Sequence, residues 1–326
     1  MRQPKIPPTP SGTSVAGKTV LITGANTGIG FESARQFLLL QASRVIITAR
    51  DASKGKAAVE SLRQDPEVIR TNPSAMIETL LLDLDDYQSG VSFTRTVRER
   101  VSELDILLFN GGMNIMEYQT SKTGHERVMQ VNCYTHFLIA LELLPLLQAT
   151  ATKRGTPSRL TFVGSSTQFY HSLAKAPIGS SDSALEYWDD GSRFHSMHRY
   201  MDSKLVVNAF VRHLATVVPS SEVVINNFCP GMVVTDLNKH LPSWLKPLHS
   251  AVQWFLARSL QDAGRTAIHA TAVTGEETHG EFLDSNRIKA GPPFLAEKKG
   301  EELIAKLWSE MLEEVKREDP DFKAVF

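Results

Sequence analysis

Only two cysteines, Cys133 and Cys229, occur among 326 residues. Two thiols make neither a disulfide framework nor a cysteine-based zinc centre, and they suit a reducing, cytosol-like compartment. Neither sign of charge is in excess: 35 Lys and Arg stand against 36 Asp and Glu, a formal net charge of −1. Lacking a basic surplus, the chain has little with which to neutralise a phosphate backbone, and nucleic acid is set aside as a partner. Long apolar runs are missing as well. The most apolar, Phe137–Leu147, is short and interrupted by Glu142 and Pro145, so it reads as a buried helix and not as a membrane span. The opening stretch, Met1–Gly17, is polar, carries Pro4, Pro7, Pro8 and Pro10, and lacks the apolar core of a secretion signal. Residues 1–16 are therefore expected to be a disordered tail. No internal repeat, low-complexity tract or linker stands out. His195 and His198 lie three apart without further ligands in view, so no metal site is expected.

What remains is an ordinary globular composition, 42% hydrophobic and 22% charged, arranged as an alternation. Apolar runs of strand length at Val20–Ile22, Arg44–Thr48, Met76–Leu82, Asp105–Phe109, Arg159–Val163 and Glu222–Phe228 are separated by amphipathic stretches of helix length. Helices are predicted at about 28–40, 52–64, 87–101, 124–151, 197–218, 242–256, 259–273 and 297–315. Strands alternating with helices of this length imply right-handed crossovers and a parallel sheet covered on both faces. The expected fold is one doubly wound α/β domain over residues 17–326, with a parallel sheet of about seven strands. The stretch Asp65–Ser74, with Pro66 and Pro73, reads as a surface insertion. The acid-rich segment Glu310–Asp321 reads as a solvated helix face.

Between the first strand and the first helix lies Thr23-Gly24-Ala25-Asn26-Thr27-Gly28-Ile29-Gly30. A helix start leaves amide N–H groups unpaired at the positive end of its dipole, and glycines let the backbone approach an anion closely. The turn, with Gly24, Asn26, Thr27, Gly28, Ile29 and Gly30, is a candidate pyrophosphate cradle. Ligands in such a sheet bind beyond the carboxyl ends of the strands, and further candidates fall there. Arg50 ends the second strand; an arginine suits a 2′-phosphate, whereas an acid suits a ribose 2′-hydroxyl, and Asp51 follows directly. NADP(H) is therefore favoured over NAD(H). Asp83 and Leu84 end the third strand, where a carboxylate can meet an adenine amino group or cap the next helix. Asn110, Gly111 and Gly112 end the fourth, where small residues let backbone pass close to a ribose or simply form a turn.

The chemistry-bearing residues follow the fifth strand. Tyr200 and Lys204 are four apart at the start of a predicted helix and so share a face. An ammonium near a phenol lowers its pKa, and such a tyrosine can give or take a proton at an alcohol oxygen. Ser165 and Ser166 end the strand, where a hydroxyl can hold a substrate carbonyl or satisfy local backbone. Asn132 lies inside the long fourth helix, either holding a relay water beside Lys204 or acting as a satisfied core amide.

Taken in order, these residues resemble the short-chain dehydrogenase/reductase superfamily. The resemblance covers roughly Lys18–Asp236 and rests on the Thr-Gly-x-x-x-Gly-x-Gly turn, Asp83-Leu84, Asn110-Gly111-Gly112, Asn132, Ser166, Tyr200-x-x-x-Lys204 and Pro230-Gly231-Met232-Val233-Val234-Thr235. It implies a Rossmann fold, with Tyr200 as general acid/base and Ser166, favoured over Ser165, orienting the substrate oxygen. It also implies that Lys204 binds the nicotinamide ribose, that Asn132 supports the relay, and that Val233 and Thr235 contact the nicotinamide carboxamide or pyrophosphate, with Pro230 beside them. Phe109-Asn110-Gly111-Gly112 departs from the usual Asn-Asn-Ala-Gly. Ser166 and Tyr200 stand 34 positions apart, where compact members use about a dozen. The extra segment, about 167–195, carries Phe169, Tyr170, Tyr187, Trp188 and Phe194. It is similar to the retinol-dehydrogenase-like and protochlorophyllide-reductase-like branches and to fungal secondary-metabolite reductases. Its aromatic residues suit a bulky apolar substrate or pack the segment itself. Residues from about 235 to 257 are expected to form a substrate lid.

The expected activity is thus reduction of a ketone or aldehyde, or oxidation of the alcohol, on a bulky apolar small molecule. The alternatives are C=C or imine reduction or a non-redox biosynthetic step at the same site, and a non-catalytic dinucleotide sensor. The expected assembly is a monomer or a homodimer.

Overall fold

In the computed structural model, residues 3–234 and 257–325 are described. The first strand, β1 (Thr19–Ile22), is fully buried and leads through the glycine turn into α1 (Gly28–Leu39). β2 (Arg44–Ala49) and α2 (Ala52–Arg63) follow, the helix capped by the Asp51 carboxylate, which accepts from the Lys54 amide. The stretch read as a loop insertion instead holds a short helix, α3 (Pro66–Thr71). Asp65 caps it by accepting from the Glu67 and Val68 amides, and Pro66 sits in the first turn, where its missing N–H costs nothing. β3 (Met76–Leu81), α4 (Tyr87–Arg100) and β4 (Ile106–Phe109) complete the first half.

The second half opens with α5 (Arg127–Arg154), which carries a π-helical turn at Gln130–Tyr134 and runs on through Pro145. By length and composition α5 could cross a membrane, but 78% of its most apolar window is buried among neighbouring elements. It is the central core helix that its sequence suggested. β5 (Ser158–Val163), α6 (Ser196–Val217), β6 (Val223–Cys229), α7 (Leu260–Ile268), β7 (Phe282–Asp284), β8 (Arg287–Lys289) and α8 (Lys298–Glu318) follow.

The strands form one sheet in the order β3-β2-β1-β4-β5-β6-β7-β8. The seven from β3 to β7 pair in parallel, as expected. The antiparallel β8 was not legible in the sequence. It joins β7 through Ser285 and Asn286, whose φ values of 52° and 62° place both in the left-handed region of a tight hairpin turn. Two apolar layers cover the sheet. One face carries α4, α5, α6 and α8, where Phe137 stacks on Phe210 with centroids 3.9 Å apart. The other carries α1, α2 and α7, with Phe37, Leu38, Val59 and Ala267 buried.

Two expectations need correction. Residues 3–16 form no helix or strand, yet they are not a free tail: Ile6 and Val15 are buried, and Gln3 exchanges hydrogen bonds with both backbone groups of Met232. The acid-rich helix end is not merely solvated. Glu310 accepts from the Ser183 hydroxyl and the Ala184 and Leu185 amides, and Asp319 is fully buried. The inserted segment is packed and hydrogen-bonded, the alternative its aromatic residues had left open: Leu185 and Trp188 are buried in the main core, and the Tyr134 hydroxyl donates to the Leu185 carbonyl. Here His125 clamps two elements. Its Nδ1 lies 2.8 Å from Asp189 of the insertion and its Nε2 3.3 Å from Glu314 of α8. The predicted helix at 242–256 lies outside the described residues.

Candidate active site

The strand order reverses between β1 and β4, which opens a crevice at the carboxyl edge of the sheet. The glycine turn lies there. Gly24 has a φ of 60°, and a Cβ on it would sit 2.7 Å from the Gly111 Cα. A Cβ on Gly30 would meet Asn110 Nδ2 at 2.4 Å and the Ala25 Cα at 2.8 Å. The two loops therefore touch as bare backbone, and only glycine permits that spacing. Thr27 supplies no side-chain cap to α1, so the first-turn amides at Gly28, Ile29 and Gly30 stay open to an anion.

Asn110 works as a staple: its Nδ2 donates to the Thr23 and Gly24 carbonyls, 3.0 Å each. The Thr23 hydroxyl accepts from the Asn110 and Gly111 amides at 3.0 and 3.1 Å. Its own proton is left for His136 Nε2, 3.1 Å away. Burial pushes the His136 imidazole down to about 3, so the ring is neutral and Nε2 accepts. Thr23 opens the glycine motif, whereas nothing in the sequence had marked His136 as part of the site.

Further along the edge, Asp51 spends its carboxylate capping α2, while Arg50 is exposed and has no hydrogen-bond or ion-pair partner among the described residues. Asp83 accepts from Lys122 Nζ at 2.7 Å and from the Asp85 amide at 3.2 Å. Leu84 packs its Cδ1 where a Gly111 side chain would be. Pro230 is buried, and its carbonyl accepts from Arg258; Val233 is buried beside Arg258 in a short parallel bridge. Thr235 and the expected lid up to residue 256 lie outside the described residues.

The π turn of α5 carries Asn132. Its Oδ1 accepts from the Met113 amide at 2.8 Å, and its Nδ2 donates to the Met113 carbonyl and the Ser203 hydroxyl at 3.0 Å each. The side chain is thus a satisfied core amide joining the β4 loop to α6, one residue from Lys204. Lys204 Nζ donates to the Val163 carbonyl at 2.8 Å and lies 5.5 Å from the Tyr200 ring centroid. Burial pushes the ammonium down to about 8. The Tyr200 phenol does not show the lowering expected from Lys204. Burial raises it well above the ordinary value, and the nearby Cys229 raises it further.

Ser165 caps the turn Ser166–Tyr170, its Oγ accepting from the Thr167 amide at 3.2 Å and from the Thr167 hydroxyl at 2.9 Å. Ser166 donates to Asp284 Oδ2 at 2.9 Å. The inserted aromatics also divide. Trp188 is core, Tyr187 packs edge-on against it, and Phe194 meets Tyr118 edge-on. Phe169 and the exposed Tyr170 belong to the turn beside Ser165.

A family model described as short chain dehydrogenase matches residues 18–188. The chain is 50% identical over 287 residues to the short chain dehydrogenase sor7 of Hypocrea jecorina, covering 88% of this chain and 80% of that one. It is 40% identical to the short chain dehydrogenase macD of Penicillium terrestre, covering 96% and 95% of the two chains. Among solved structures, the Pseudomonas aeruginosa RhlG/NADP active-site complex superposes with a TM-score of 0.62 at 22% identity, covering 83% of this chain and 96% of that one, a likeness of fold.

Proposed function

Given that the chain belongs to the short-chain dehydrogenase family, we propose that it is an NADP(H)-dependent oxidoreductase. It reduces the ketone or aldehyde of a bulky apolar small molecule, or oxidises the corresponding alcohol, in a fungal secondary-metabolite route and a reducing, cytosol-like compartment. The observation that carries this reading is the Lys204 ammonium 5.5 Å from the Tyr200 ring centroid and tied to the Val163 carbonyl at the carboxyl end of β5.

The residues fit a dinucleotide because its backbone cradle is one that any Cβ would fill. Gly24, Asn26, Thr27, Gly28, Ile29 and Gly30 would hold the pyrophosphate, and Asp83, Leu84, Asn110 and Gly111 the adenosine. Tyr200 and Lys204 would hold the nicotinamide ribose, and Pro230, Val233 and Thr235 the carboxamide side. The free Arg50, beside an Asp51 already engaged, supports a 2′-phosphate. Bound NADP(H) supplies or accepts the hydride.

The protein supplies position and a proton. A substrate oxygen placed at Tyr200 receives a hydrogen bond from the phenol, and the Ser165–Ser166 pair at the end of β5, with Ser166 at the family's position, supplies a second hydroxyl. Because burial keeps the phenol protonated at neutral pH, Tyr200 is ready to give its proton to an oxygen that gains negative charge. Lys204, tethered to Val163, keeps most of its charge at pH 7 and stabilises the phenolate left behind. Asn132 keeps the Met113 loop and α6 in register around this group. α8 packs on α4, α5 and α6 with Leu307, Met311 and Val315 buried, and the assembly is a monomer or a homodimer.

The test is NADPH consumption against a panel of aromatic and polycyclic ketones, with NADH alongside. Tyr200→Phe is expected to keep NADPH binding within about twofold and to lose roughly 10²–10⁴ in turnover. Undiminished turnover by that variant would overturn the reading.

A further inference from the structure

The loop after β6 is held by two residues that no motif includes. Gln3 pairs with its backbone as a neighbouring strand would. The side-chain Oε1 accepts from the Met232 amide at 2.8 Å, and Nε2 donates to the Met232 carbonyl at 3.0 Å. The same carbonyl accepts from the Arg258 amide at 2.8 Å. The Arg258 side chain is buried and completes the knot. Its Nη1 donates to the Pro230 carbonyl at 3.3 Å, and its Nη2 donates to the Pro4 carbonyl at 3.2 Å and to Ser285 Oγ at 2.7 Å. A guanidinium presents five donors in a fixed fork, so one side chain can tie three segments together. Gly231, between the two tethered residues of the loop, has a φ of 83°. A Cβ there would strike Gln3 Oε1 and fall 2.7 Å from Arg258 Nη1, so this close approach needs glycine.

The knot is also joined to the other end of the crevice. Ser259 follows Arg258 and caps α7, its hydroxyl accepting from the Asp262 amide at 3.0 Å. α7 lies on α1, the helix that opens at the glycine turn: Gln36 Nε2 donates to the Gln261 carbonyl at 2.9 Å. The loop and the glycine turn therefore share one frame.

We propose that Gln3 and Arg258 are positioning residues for the cofactor, holding the backbone of residues 230–233 in place beside the nicotinamide end of NADP(H). The proposal rests on the dehydrogenase reading above, in which Pro230 and Val233 take the carboxamide side. Each residue acts through the backbone of that loop. Gln3 thus belongs to the working site although it lies before the first strand.

The experiment compares two ligands on the full chain: NADPH, and adenosine 2′,5′-bisphosphate, which lacks the nicotinamide half. NADPH binding is read by its fluorescence, bisphosphate binding by calorimetry and stability by thermal unfolding. The variants are Gln3→Ala, Arg258→Lys and Arg258→Met, with Leu307→Ala in the α8 core as a control that lowers stability away from the loop. Gln3→Ala is expected to raise the NADPH Kd about threefold to tenfold, as loss of two hydrogen bonds to the loop requires, with bisphosphate affinity kept within about twofold. Arg258→Met raises the NADPH Kd further, and Arg258→Lys, which keeps the charge but not the fork, falls between. Leu307→Ala leaves the ratio of the two affinities unchanged. Equal losses for both ligands, an unchanged NADPH Kd in Gln3→Ala and Arg258→Lys, or a ratio that shifts as much in Leu307→Ala would each overturn the proposal. If Arg258→Met does not fold, Gln3→Ala and Arg258→Lys carry the same test. Wild-type protein that binds neither ligand, or a Tyr200→Phe variant with full turnover, overturns the dehydrogenase reading and the proposal with it; an unshifted ratio in a wild type that binds both ligands overturns the positioning role alone.

Discussion

His125 offers a direct link between the inserted segment and pH. It lies between Asp189 and Glu314, with the Tyr87 and Tyr134 rings packed edge-on at 6.1 and 5.1 Å and Arg317 on the far side of Glu314. Burial alone would lower its pKa, but the hydrogen bonds and charges of the two carboxylates win and raise it from 6.5 to about 9. A histidine whose folded value is raised stabilises the fold fully below its unfolded value, near 6.5, and loses that contribution as the pH climbs through the folded one. The span from 6.5 to about 9, at about 1.4 kcal/mol per pH decade, gives about 3 kcal/mol. The perturbation is His125→Gln, and the assay is urea unfolding of both proteins at pH 6, 7.5 and 9.5. The difference in unfolding free energy is expected to be largest at pH 6 and to shrink by about 3 kcal/mol by pH 9.5. The comparison between variants cancels groups that titrate in both. A difference that stays constant across that range would refute the argument, because it would mean that His125 carries no extra proton in the folded state.

Two further outcomes follow from the cofactor edge. Arg50→Glu is expected to weaken NADPH binding at least about tenfold while leaving NADH binding within about threefold, as removal of a charged phosphate contact requires; equal loss for both dinucleotides in a titration would remove Arg50 from the site. Gly30→Ala, whose new Cβ would fall 2.4 Å from Asn110 Nδ2, is expected to lower stability by about 1–3 kcal/mol and to weaken dinucleotide binding; wild-type values in thermal unfolding and fluorescence titration would refute the close approach.

The legible parts of the chain were those set by neighbours in sequence. The glycine turn and the Tyr200–Lys204 face follow from spacings of a few residues, and six of the seven parallel strands came from the alternation of short and long apolar stretches. Ser165 and Ser166 could not be told apart in this way. They differ by one position, and what separates them is Asp284, 118 residues further on. β7 and β8 span three residues each, β8 is wholly exposed, and the turn between them uses Ser285 and Asn286 in place of a glycine signal. The N-terminal segment looked free because its anchors, Met232 and Arg258, lie more than 200 positions away. Glu310 looked like one more surface charge because the amides it receives belong to the insertion.

The Thr23 hydroxyl joins two amides of the Asn110–Gly111 loop and the His136 ring of α5. With Asn110 bound to the same corner, the crevice is rigid before any phosphate arrives. Ordering of those loops then belongs to folding, and a nucleotide entering the crevice has little backbone left to organise. Recognition on this side of the molecule resembles a key meeting a cut lock, which leaves adaptability to whatever surrounds the opposite, substrate-facing rim.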